Sequence, residues 1–378
     1  MLDSLVLRFF RDPFSCKDFT YPQWNTLFEE ARFGKLLSRL AWIIQEYNLD
    51  EDVPSQAKWI LKSAQLRFEH NRRQLFWELD RIYRAILPLE TFYSSPYGQS
   101  PILLLKGAAY IAAGFPWAEG RSSVDMDVLV QRENLEEMER RLLEDGWLPS
   151  VKNEYDTRYY REWMHEIPPL CHIERKTVLD VHHNILPLTG RIKIRPELLW
   201  EQSLVLQEAV NPAARHYRIL SPPDMILHSA VHLFQDGEIS NAFRDLLDLD
   251  AMLRYYLPQA GFMERLFLRA EELGTQRSLF YAIHFCHQLL GTPISAEHLR
   301  HVNSYGGNLC QKMIMNCCVP ISLLSYPKEA QSFRVSLANQ VLYLRSHFLR
   351  MPLRMLIPHL WQKRRIRKQE RKMKKEKM

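Results

Sequence analysis

The stretch Pro101–Val130, PILLLKGAAYIAAGFPWAEGRSSVDMDVLV, constrains the fold of this chain more than any other. Ile102–Leu105 is an apolar run short enough for a buried strand. Lys106-Gly107 follows, and the small residues Ala108–Ala113 read as the start of a helix that Gly114, Pro116 and Gly120 break. The chain then enters an alternating run from Val124 to Val130. Side chains two apart in a strand share a face. Asp125 and Asp127 therefore point the same way, with Met126 and Val128 packed behind them. Neighbouring carboxylates repel, and burying them is costly unless a cation compensates. Hard divalent cations such as Mg²⁺ take such oxygen ligands, usually together with substrate phosphates. The bland alternative is two solvated acids on an edge strand. A second Asp-x-Asp, Asp248-Leu249-Asp250, has helical spacing and no glycine turn before it, and reads as a polar helix face.

Around this stretch the chain reads as mostly helical. Trp24–Leu40 has apolar spacing of three and four with a soft break at Gly34, and Ala57–Leu87 is a long amphipathic stretch whose Trp59, Leu66 and Trp77 are expected in the core. Residues 88–101 form a linker. Asn134–Asp145 is an amphipathic helix, with Asn134 a fair N-cap and Gly146 its stop. Residues 151–170, rich in Tyr and Trp, are expected to be a hairpin or loop over a pocket. Val178–Ile185 is strand-like, with Asp180 and His182 on one face. Residues 191–345 return to helices, one starting at Ser221-Pro222-Pro223-Asp224 and carrying His228 and His232 at i, i+4. That histidine pair lacks the Glu of H-E-x-x-H and reads as two helix-face side chains.

Charge excludes a polyanion-binding body. The net charge is +6, but residues 362–378 hold ten Lys/Arg and two Glu, so the remainder is near −2. Residues 363–378 have little to bury and are expected to be a mobile helix or disordered. They are a solvated segment, or they make weak contact with an anionic membrane surface or RNA. The six cysteines form no C-x-x-C pair, and no signal-like or bilayer-length apolar run is present, which predicts a cytoplasmic protein with reduced thiols and no transmembrane segment.

The order strand, glycine, helix, then Asp-x-Asp on a second strand resembles the nucleotidyltransferase fold of the DNA polymerase β superfamily. More narrowly, LLLKGAAY, Arg121 before VDMDVLV, Asp180 in VLDVHHN, and the Pro-Asp start of a His-bearing helix resemble a bacterial family known as uncharacterised nucleotidyltransferases. Lys106-Gly107 stands where the superfamily usually has Gly-Gly or Gly-Ser, and Gly107 precedes Asp125 by 18 residues, a longer gap than the usual pattern.

The resemblance implies an α+β chain. A polymerase-β-like core, a small mixed sheet with helices, occupies 99–190. An N-terminal helical region at 1–98 and a C-terminal helical region at 191–345 flank it, and 346–378 is a basic tail. It also implies an enzyme that moves a nucleotidyl group from a nucleoside triphosphate to a hydroxyl-bearing acceptor, which is a protein, an RNA or a small molecule. Asp125, Asp127 and Asp180 would hold two Mg²⁺ ions, with Asp180 as general base. Lys106, Gly107, Arg121, Ser123 and His182 are the nucleotide-binding candidates. Gly107 would let backbone N–H groups approach phosphates without a Cβ in the way. Arg121 is a phosphate partner or a surface residue in a salt bridge. His182 binds phosphate, orients Asp180 or caps the strand. Asp245 and Asp248 carry the plain alternative of solvated helix residues. Two other classes stay open: an inert module that keeps the fold for binding or regulation, and a phosphotransferase.

Overall fold

The apolar run after Pro101 is buried on every side chain and forms the first strand of a sheet. In this computed structural model the strands are β1 (Ile102–Leu104), β2 (Asp125–Leu129), β3 (Trp147–Pro149), β4 (Leu170–His172), β5 (Val178–His182), β6 (Leu204–Val205) and β7 (Tyr217–Ile219). Residues 4–87, 100–123, 125–151, 153–207, 209–235, 239, 242–324 and 332–376 are described. The expected linker lies, up to residue 99, outside the described residues, as does Val124.

The sheet order is β3-β4-β5-β2-β1-β7-β6, which puts β2 at the centre. β2 runs antiparallel to β1 and parallel to β5. This one mixed sheet with helices before and after it makes an α+β fold. In the β2–β5 register Asp127 lies opposite Asp180 and Leu129 opposite His182. Residues paired across neighbouring strands share a face, so Asp125, Asp127, Asp180 and His182 project from the same side of the sheet's middle. The helix Lys106–Ala113 leaves β1 directly; its small side chains allow close approach to the sheet, and Gly114, at φ 68°, ends it.

Helices Leu5–Arg11, Tyr21–Phe33, Leu37–Glu46 and Lys58–Ile86 precede the sheet. One apolar core runs from Val6 through the sheet to Leu342. In Lys58–Ile86 the buried stripe is Leu61, Ala64, Phe68, Leu75, Leu79, Ile82 and Ile86. Trp59, Leu66 and Trp77 are instead exposed, at 65%, 59% and 47%. Their positions fall out of phase with the three-and-four spacing of the stripe. Trp77 takes Arg81 and Arg175 against its ring.

Three further expectations are corrected. Residues 154–163 form a helix rather than a hairpin or loop, capped by the Asn153 side chain, which accepts from the Asp156 N–H at 2.8 Å. It buries none of its residues fully, so it has no apolar stripe to announce it. The region after 190 is not helical throughout: β7 pairs parallel with β1 and β6 closes that edge. Strands of two and three residues are too short to show a period. Finally, the basic tail is not free along its whole length: it carries the helix Leu353–Glu376, with Pro358 inside it. This helix is docked, not free, as far as Lys363. His359 stacks on Tyr159, and Lys363 Nζ meets Asp156 Oδ1 at 2.5 Å. No described helix is long and apolar enough to cross a membrane.

Candidate functional site

Asp127 is the hub of the site. Its carboxylate is buried at the centre of the sheet, and Lys106 Nζ donates to Oδ1 at 2.8 Å while His182 Nε2 lies 3.2 Å from the same oxygen. Burial pushes this carboxyl up, but Lys106 and His182 outweigh it and hold it well below the usual carboxylate range. His182 is displaced upward: burial lowers it, and the hydrogen bond to Asp127 and the charges of Glu166 and Asp127 more than reverse that.

Asp180, across the register, has the opposite fate. Burial first, then the charges of Asp127 and Glu166, push its carboxyl up to about 7. Its Oδ1 is buried and makes no hydrogen bond. An orphaned carboxylate oxygen beside a second carboxylate is a site built for a proton or a cation. Asp125, at the start of β2, is exposed, and its carbonyl accepts from Ser123 Oγ at 3.0 Å. The residues present therefore suit Mg²⁺: Asp125 open to solvent, Asp180 with an unsatisfied oxygen, and Asp127 engaged through Oδ1 in both of these bonds.

Lys106 holds a left-handed backbone, φ 46°. Only a few per cent of non-glycine residues do so, and such strain gathers at functional sites. Gly107 has a structural reason of its own. A Cβ there would overlap the Arg121 guanidinium and come 2.9 Å from Ser123 Oγ. The glycine thus makes room for Arg121, in addition to any approach of a ligand.

Arg121 is not a surface residue. It is buried, its Nε donates to Asp248 Oδ2 at 2.6 Å, and Asp245 lies 3.8 Å from Nη2. Asp248 also pairs with Arg39 Nη2 at 2.8 Å, and Arg39 donates to the Trp117 carbonyl. The second Asp-x-Asp is therefore not a solvated helix face: Asp248 is 2% exposed and Asp250 9%. Arg39 joins the first helices to the site and was missed in the sequence. Its signal was a charge in register with the apolar Leu36, Leu40 and Ile43.

The acids, Lys106, Arg121 and His182 open into one cavity of about 670 Å³. Lys106, Gly107, Arg121, Ser123, Asp125, Asp127, Asp180 and His182 all line it, so the structure brings every sequence-selected residue together. The N-terminal helices contribute Phe33–Lys35, the 154–163 helix contributes Tyr159 and Tyr160, and the C-terminal helices contribute His232, Arg244 and Asp245. Arg244 Nη1 donates to the Ser122 carbonyl at 3.2 Å, which ties the later helices to the segment before β2. His228, one turn from His232, is buried and held well below the usual histidine range by burial and by Lys106. Glu166 also lines the cavity and had no period or motif to mark it.

Among known proteins, the family model described as uncharacterised nucleotidyltransferase matches residues 21–291, which span the N-terminal helices from Tyr21 on, the whole sheet and the first C-terminal helices. No curated protein and no solved structure matches the chain significantly. On the extent of that match, the chain belongs to the family of uncharacterised nucleotidyltransferases.

Proposed function

We propose that this nucleotidyltransferase works as polymerase-β-like enzymes do, moving a nucleoside monophosphate from a nucleoside triphosphate onto a hydroxyl. The observation that carries the reading is the β2–β5 register, which sets Asp127 beside Asp180 on one face with Asp125 at the cavity mouth. The acceptor oxygen forms a bond to the α-phosphorus, the α–β bridging bond breaks, and pyrophosphate leaves. Asp180, whose Oδ1 has no hydrogen-bond partner in the site, takes the hydroxyl proton. Asp125, Asp127 and Asp180 would hold two Mg²⁺ ions, which when bound clamp the attacking and leaving oxygens. Lys106 and Arg244 line the cavity and are the cationic partners for phosphate oxygens. Arg121, held by Asp248 and Asp245, is better suited to fixing the glycine turn than to gripping phosphate. Tyr160 lines the cavity and offers a ring for a base or for the acceptor.

Nucleotide labelled at the α- or γ-phosphate tests this. With Mg²⁺ and an extract as acceptor source, α-label is expected in a product identified by mass. Transfer of γ-label instead means a phosphotransferase, and transfer of neither means an inert binding module. Mg²⁺ and triphosphate together are also expected to raise the melting temperature more than either alone, because the acids form a full cation shell only with phosphate oxygens present.

A further inference from the structure

Beside the three acids, the cavity holds a second set of donors of different chemistry: His165, Glu166 and His182. One ligand atom from each lies within 4.8 Å of the other two. The set is pinned from both sides by backbone bonds. His183 N–H donates to the His165 carbonyl at 2.8 Å, Ile167 N–H donates to the Val181 carbonyl at 3.0 Å, and Glu166 bridges to His182. Residues 165–167 therefore act as a short extra strand on β5, and their side chains share its rigidity.

His182 is where the set is incomplete. The ring is 4% exposed, and Nε2 is taken up by the ionised Asp127, which only accepts. The ring's other nitrogen is Nδ1. That atom is buried, makes no hydrogen bond, and faces Glu166 Oε2 at 3.4 Å. Two electronegative atoms this close call for a positive charge between them, a proton or a metal ion. The spacing also has a meaning: two ligand bonds of about 2.0–2.2 Å at a tetrahedral angle put their donor atoms roughly 3.4 Å apart. The Asp127–His182 hydrogen bond is the outer-shell contact that metal-bound imidazoles commonly make, with a carboxylate fixing the tautomer and orientation of the ring.

We infer that His165, Glu166 and His182 form a binding site for a borderline-soft divalent ion of the Zn²⁺ type, with its remaining position open to the cavity. Two imidazoles and one carboxylate favour such an ion over Mg²⁺, which prefers oxygen throughout. Three protein ligands and one open position make the pattern of a zinc that meets a ligand rather than one that only braces a fold. The site is separate from the Asp125–Asp180 acids in donor chemistry, and its existence does not depend on nucleotidyl transfer. It would place a second kind of cation on the wall of the same cavity, within reach of an anionic ligand.

Cobalt(II) is the probe, because four- and five-coordinate cobalt absorbs visible light far more strongly than octahedral cobalt. Full-length protein stripped with chelator and titrated with Co²⁺ is expected to develop strong d–d bands that saturate at one equivalent and vanish on adding Zn²⁺. Glu166→Gln and His165→Ala should lose the bands, with folding checked by thermal melt. Asp125→Asn, which touches only the oxygen site, should keep them. Asp127→Asn should weaken Co²⁺ affinity by about 10–100-fold, since it removes the outer-shell carboxylate. Weak octahedral bands alone in the wild type, or strong bands unchanged in Glu166→Gln, would overturn the site. Transfer of α-label with Mg²⁺ is measured separately, so a failure here leaves that reading standing, and the reverse.

Discussion

The chain contains the same three-residue pattern twice, and the fold uses it in opposite ways. Asp125-Met126-Asp127 lies on a strand, where alternate side chains share a face, and its acids meet Asp180 at a cavity. Asp248-Leu249-Asp250 lies in the helix Phe243–Tyr256, where residues two apart diverge around the axis. Asp248 goes to Arg39 and Arg121, while Asp250 goes to Arg254 and the Thr292 hydroxyl. The helical pair is neutralised by the protein's own cations. The strand pair is neutralised only in part, by Lys106 and His182 on Asp127, while Asp180 is pushed up by burial and by the charges of Asp127 and Glu166. Acids that brace a fold come with built-in counter-charges, whereas acids that await a ligand leave part of their field uncompensated.

The same isosteric change in each pair should therefore give unlike results. Asp125→Asn or Asp127→Asn is expected to cut transfer of α-label by roughly 10³-fold or more, the scale of losing several kcal/mol of charge stabilisation. Near wild-type turnover in both variants would remove the acids from the mechanism. Asp248→Asn is expected to act on stability instead. Leaving Arg39 and Arg121 buried with less than their counter-charge should cost about 3–5 kcal/mol, read as a large drop in denaturant midpoint. A midpoint within experimental error of wild type would dissolve the contrast between the two pairs.

Much of the strand pair was legible because period-two alternation, a preceding glycine and a short apolar run are all local signals. The register that sets Asp180 beside Asp127 was not local, and came only from the resemblance carried by VLDVHHN. The helical pair was misread because its partners are distant in sequence: Arg39 lies more than two hundred residues before Asp248, and helical spacing alone looks the same in water and in a core. Trp59 and Trp77 failed for a related reason, since residue type outweighed phase. Glu166 was invisible because a two-residue bridge has no pattern of its own.

Gly107 joins the two pairs, since it faces Arg121 on one side and carries the turn beside Lys106 on the other. Gly107→Ala should push the Arg121 guanidinium off Asp248, with a cost of about 1–3 kcal/mol typical of overpacking. Coupling is the sharper measurement. Combined with Asp248→Asn, the substitution should cost clearly less than the sum of the two alone, because both disturb one contact. Strict additivity would mean that Gly107 serves something other than room for Arg121.

The last expected effect has the opposite sign. Asp180 titrates at about 7 in the folded chain against an ordinary 3.8, so between those values the folded state holds a proton that the unfolded state has lost. Stability therefore falls as pH rises from about 4 to about 7 and is level above that, because the slope follows the protons bound by the unfolded state minus those bound by the native state. Asn cannot ionise and escapes this loss. In the presence of chelator, Asp180→Asn should melt with the wild type near pH 4 and clearly above it near pH 8, because only the wild type must ionise a buried carboxyl there. Mg²⁺ with triphosphate should narrow the gap by stabilising only the wild type. A gap that is constant with pH would show that Asp180 does not bear the uncompensated charge, and the difference between the two Asp-x-Asp segments would then rest on Asp125 and Asp127 alone.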